Sequence, residues 1–154
     1  MSFRINTVNW FVIAMLAMFL SAGATTANAD AGGGSSSKLG DAKQAIKKED
    51  YNAAIVKLDQ LNKEESGDAD VLNLLGYSYR KLEKFDEALD YYQQALNADP
   101  KHKGAHEYLG ELYLQTNQLE QAEEQLAILD GICTFTCGEY RDLKKSIKKY
   151  KQAQ

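Results

Sequence analysis

Four residue types are scarce in this 154-residue chain: one proline, one tryptophan, two cysteines and two histidines. So little proline leaves few breaks in helices. Two cysteines are too few for a disulfide-dense scaffold or a four-cysteine zinc site. The chain also lacks a Gly-x-Ser-x-Gly turn, a P-loop and a glycine-rich dinucleotide fingerprint, and neither histidine has an evident nucleophile partner. The neighbouring acids Glu64 and Glu65, like Glu123 and Glu124, diverge on a helix and suit solvated faces. No segment alternates as a strand would. The expectation is an all-α protein that is not an enzyme and carries no cofactor.

Long apolar runs are missing as well, with one short exception near the start. There a lone Arg4 precedes the apolar stretch Trp10 to Leu20, and small residues follow, ending in Ala27-Asn28-Ala29. This is the layout of a secretory signal peptide cleaved after Ala29, too short to span a bilayer comfortably; an uncleaved anchor is the alternative. Residues 1–29 are therefore expected to direct export, most simply to the periplasm of a Gram-negative bacterium, with no stable membrane insertion after cleavage. The next stretch, "DAGGGSSSK" (30–38), has no large apolar residue and suits a flexible linker.

From Asp30 to Gly138 there are 11 basic and 20 acidic residues, a balance of −9, whereas from Glu139 onward six basic meet two acidic, or +4. An acidic body disfavours nucleic acid, which is bound by displacing counterions with basic surface. The tail "RDLKKSIKKYKQ" offers contact with anionic lipid or an acidic partner, or simply the solvated face of a last helix.

Between those ends, helical patterns succeed one another with short breaks, and the chain resembles itself. One interval, the step from Tyr51 to Phe85, recurs from Phe85 to Leu119. It also joins Ala54, Ala88 and Ala122, then Leu58, Tyr92 and Leu126, then Leu61, Ala95 and Leu129. The same step carries Leu75 to Leu109, Gly76 to Gly110 and Tyr79 to Tyr113, while the first unit has Ala42 and Ala45 at the corresponding places. A glycine inside a helix costs about 1 kcal/mol relative to alanine, so Gly76 and Gly110 call for a packing reason.

That interval, thirty-four residues, is the period of the tetratricopeptide repeat, and "LGYSYRKLEKFDEALDYYQQALNADP" closely resembles its pattern of Leu-Gly, Tyr, aromatic, Ala, Tyr, Ala and Pro. The resemblance implies antiparallel helix pairs stacked into a solenoid of about 2.5 to 3 repeats, near 39–68, 69–102 and 103–130. Under it the glycines and alanines let paired helices approach until their backbones nearly touch. After Asp130 the pattern stops, and Tyr140, Leu143, Ile147 and Tyr150 fall on one stripe, as a capping helix needs within the last unit, 131–154. The chain is similar to small exported repeat proteins of Gram-negative bacteria.

Cys133 and Cys137 lie in the break before that helix. In an exported protein a structural disulfide is the expected state, worth roughly 2 to 3 kcal/mol for so small a loop; free thiols and a redox or metal role are the alternatives. His102 and His106 would share a face only if both were helical, and an exported metal-binding or redox protein built on Cys133, Cys137 and these histidines is the rival to the main reading.

The main reading is a protein–protein interaction module, for in a tetratricopeptide array the first helix of each repeat lines the concave groove. The resemblance assigns to the groove Asn73, Tyr77, Arg80 and Lys81 from one repeat and Glu107, Glu111, Leu114 and Gln115 from the next. Any one of these is otherwise a solubilising surface residue. Tyr77 and Glu111 do not reproduce the carboxylate clamp by which some family members hold chaperone C-termini. A protein or peptide partner is expected, with Arg80 and Lys81 available to an acidic segment.

Overall fold

A computed structural model describes residues 34–135 and 137–154, all within one compact unit; the expected signal peptide lies outside the described residues. Among these described residues seven helices follow in order: α1 (Gly34–Lys47), α2 (Tyr51–Glu64), α3 (Ala69–Lys81), α4 (Phe85–Ala98), α5 (Lys103–Gln115), α6 (Leu119–Ile132) and α7 (Gly138–Gln152). Among the described residues there is no strand, and no helix is long and apolar enough to cross a membrane. Each of α1 to α6 packs on the helix that follows it, α3 also touches α5, and α7 lies on both α5 and α6. Such nearest-neighbour stacking makes an all-α solenoid.

The breaks between helices have local causes. Asp50 accepts the Ala53 N–H and Asp68 the Val71 N–H, both at 3.1 Å, so each carboxylate satisfies a donor that a helix start leaves unpaired. Inside the three helix pairs the turn passes through a left-handed residue: Glu49, Glu83 and Asn117, at φ 59°, 60° and 61°. These three are spaced by the same interval as the core positions, so the repeat is written in the backbone as well as in the core.

Helix α1 corrects the expected linker, for it begins at Gly34, inside 30–38. Glycine and serine would not hold a helix by themselves. The turn continues backwards from a packed segment in which Ala42 and Ala45 are buried beside Leu58 and Leu75, with Leu39 against them. Lys38 Nζ adds an ion pair to Glu64 at 2.7 Å.

Ala54, Ala88 and Ala122 are wholly buried, as their register requires. The glycines work differently from the expected backbone contact. A Cβ on Gly76 would stand 2.7 Å from the Tyr92 ring, and one on Gly110 would stand 2.6 Å from Leu143. Real Cβ atoms do not come so close, so each glycine is a notch for a side chain. The Tyr92 and Leu143 side chains are fully buried, and burying each contributes about 1.5 to 3 kcal/mol.

Candidate protein-interaction groove

The face of α3 that meets α5 carries Asn73, Tyr77 and Arg80, spaced so that a helix brings them to one side. Tyr77 stands between two other rings, with centroids 6.2 Å from Tyr51 at the start of α2 and 5.0 Å from Tyr108 on α5. Beneath these rings lies Arg80, only 5% exposed, its guanidinium carbon 5.5 Å from the Tyr77 centroid and 5.7 Å from that of Tyr108. Arg80 Nη2 reaches Glu111 at 2.8 Å, and its Nε donates to the Tyr92 hydroxyl at 3.3 Å. A guanidinium so enclosed is satisfied by cation–π contact, an ion pair and a hydrogen bond together. Burial pushes the Tyr92 phenol up, and burial with the Glu107 charge holds Tyr108 at about 12.

The C-terminal side of the same face is acidic. Glu107 is half-buried, and burial first, then the charges of Glu111, Asp142 and Glu139, raise its carboxyl to about 7 against the pull of Arg80. Two of those carboxylates come from α7, which also brings Ser146 to Glu111 at 3.4 Å.

Of the eight residues assigned to the groove from sequence, Asn73, Tyr77, Arg80, Glu107 and Glu111 are placed on the facing sides of α3 and α5. Lys81 is exposed beside Tyr51, its ammonium 5.8 Å from the ring centroid. Leu114 departs from the expectation: α7 covers it, in a cluster with Ala122, Leu129, Leu143 and Ile147. Gln115 is exposed at the end of α5. Arg80 departs in another way, since it is a buried support with its charge already answered. Sequence reasoning missed Tyr51, Tyr108, Glu139 and Asp142; the step from Tyr77 to Tyr108 falls short of the period used for comparison.

Cys133 and Cys137 are joined in a disulfide with Cα atoms 5.8 Å apart. The histidines have structural duties. His102 is the N-cap of α5, its Nδ1 accepting the Ala105 N–H at 3.0 Å, which leaves the proton on Nε2 to be donated to Asp70 at 3.0 Å. It stands one full period after the capping Asp68, a correspondence the sequence held in plain view. His106 is buried, with Nε2 at 3.1 Å from the Pro100 carbonyl and Nδ1 at 2.7 Å from the Gln125 amide. Among the described residues no group of three or more His, Cys, Asp or Glu side chains is placed to hold a metal ion.

The pattern of the tetratricopeptide repeat matches residues 69–102 and, in a second form, residues 91–124. Residues 69–124 are thus tetratricopeptide repeats. The TPR2B domain of yeast Sti1, solved in complex with pHsp70, is similar with TM-score 0.70 at 18% identity, covering 78% of this chain and 98% of that one. The type III secretion translocator chaperone SycD of Yersinia enterocolitica, solved with a peptide of the translocator YopD, is similar with TM-score 0.65 at 19% identity, covering 77% and 89%. At these identities the likeness is one of fold. The uncharacterized protein ycf37 of Guillardia theta is 33% identical over 61 residues, 40% of this chain and 34% of that protein, so the chain spans about a third of the relative it matches.

Proposed function

We propose that this tetratricopeptide-repeat protein is a non-enzymatic adaptor of the cell envelope, exported by its N-terminal segment, that binds a peptide or extended partner segment in the groove between α3, α5 and α7. The observation that carries the reading is the ring array of Tyr51, Tyr77 and Tyr108 over the buried Arg80. Rigid aromatic side chains fixed by a buried support present contact area at small entropic cost, as interface anchors do. The pHsp70 complex of Sti1 TPR2B and the YopD peptide bound by SycD support the same use of the fold. Export rests on the layout of residues 1–29 and on an oxidised cysteine pair.

A photoreactive side chain at Tyr77 tests the binding site, with one at Val56, exposed on α2, as the control. A discrete adduct from position 77 in envelope extract, absent from position 56, is expected. Adducts at 56 alone would put the binding surface elsewhere. Fractionation of intact cells tests location: recovery of uncleaved chain from the cytoplasm would refute export.

A further inference from the structure

The groove has cationic and anionic sides, and they are not equally available. Arg80 is committed to Glu111, Tyr92 and two rings. The carboxylates are in excess: facing Glu107 are Arg80 from α3, Glu111 on its own helix, and Glu139 and Asp142 from α7. Four carboxylates around one guanidinium leave negative potential at a half-buried place, where it is poorly screened.

A second feature of the same seam lacks a partner. Asn73 is 6% exposed, and its amide oxygen is buried without a hydrogen-bond partner. Its amide nitrogen stands 3.1 Å from where a Cβ on Gly104 would be, and Gly104 is one turn before Glu107 on α5. An unpaired buried amide oxygen is costly unless something donates to it. Asn73 also shares its helix face with Tyr77, one turn further on.

We propose that the α3–α5–α7 end of the groove receives a lysine or arginine side chain of the bound segment, with Glu107 as its counter-ion and the Asn73 amide oxygen as a further acceptor. This rests on the groove reading above and reverses the charge expected from Arg80 and Lys81. The incoming cation would lie against the Tyr77 and Tyr108 rings, which attract cations. It would also favour the ionised form of Glu107, so binding should release a proton below neutral pH and tighten as pH rises toward 8.

The test uses three twelve-residue peptides that differ at three positions, where they carry lysine, serine or glutamate, titrated into the isotope-labelled protein. The lysine peptide should bind about tenfold more tightly than the serine peptide and shift the amides of Asn73, Tyr77, Glu107 and Tyr108. Glu107→Gln should abolish that preference. Asn73→Leu removes the unpaired amide oxygen and should fold, yet lower the preference about threefold. If the glutamate peptide bound best with the same amides shifted, the cation site would be wrong and the groove reading would stand. If the shifts lay outside the groove for every peptide, the groove reading would fall too. Absence of lysine-peptide binding at about 1 mM would overturn the cation site.

Discussion

Gly76 and Gly110 hold the same place in successive repeats, and different neighbours fill the notch beside each. Tyr92, from the second helix of the same pair, fills the first; Leu143, from α7, fills the second. A central repeat therefore closes its notch from within, whereas the last repeat borrows its filling from the cap. The period preserves the glycine, but what the glycine is for depends on which helix comes next.

The largest effect should come from removing the borrowed part. Ending the chain after Asp130 takes away Leu143 and Ile147 and uncovers Leu114, Ala122 and Leu129. Exposure of a contiguous apolar face promotes association, and we expect loss of cooperative unfolding or aggregation in a thermal melt. A truncated protein that melted like the full chain would show that α7 is an ornament and not a cap.

Substitution of the glycines separates the two notches more finely. Gly76→Leu and Gly110→Leu should each destabilise by about 1 to 3 kcal/mol or more, because a new side chain must displace a packed one. Pairing each with Leu143→Ala gives the decisive comparison. Denaturant melts should show the second change relieving Gly110→Leu in part while simply adding to Gly76→Leu. Equal coupling in both cycles would break the contrast drawn above.

The positions that stack one helix on another were legible in sequence, because packing small and large residues at fixed depths leaves a period. Leu75 and Leu109, Gly76 and Gly110, and Ala54, Ala88 and Ala122 declared the fold in this way. The groove was legible only as a face. Asn73, Tyr77, Arg80, Glu107 and Glu111 were found together, but the pairing of Arg80 with Glu111 joins separate helices at a separation that is not the repeat. Burial of Leu114 depended on α7, which lies beyond the repeats. The start of α1 was hidden because a Gly/Ser stretch takes its structure from the packed residues after it. The left-handed turns were hidden too, since Glu49 and Glu83 carry none of the glycine signal usual at such positions.

A smaller effect, roughly 1 kcal/mol once the partial exposure of the group is allowed for, is expected from Glu107→Gln. The Glu107 carboxyl titrates near 7 in the folded protein against 4.5 for an ordinary one, so the folded state holds the proton more tightly across that interval. Wild-type stability should fall relative to the variant as pH rises from 4.5 to 7, the penalty being complete above 7 and absent below 4.5. Thermal melts of the two proteins should thus converge in acid and diverge at pH 8. Parallel curves at every pH would mean that Glu107 does not carry an unanswered charge.

The smallest effect concerns the turns that the repeats share. Glu83 and Asn117 adopt the same left-handed conformation in successive pairs, at φ 60° and 61°, but asparagine tolerates it better than glutamate does. Each turn is closed by the backbone: Lys84 N–H reaches the Tyr79 carbonyl at 3.0 Å, and Gln118 N–H the Tyr113 carbonyl at 2.7 Å. Nothing in those bonds requires the glutamate side chain, which is exposed. Glu83→Gly should relieve the left-handed strain while adding freedom to the unfolded chain, for a net gain of a few tenths to about 1 kcal/mol. Glu83→Asn should gain with less entropic loss, whereas Asn117→Glu should lose somewhat more, because it also gives up the bond that Asn117 Oδ1 accepts from the Tyr150 hydroxyl at 3.1 Å. Urea midpoints for the three variants decide the matter: if Glu83→Asn and Asn117→Glu moved in the same direction, the two turns would not be equivalent and the period seen in the backbone would have no energetic counterpart.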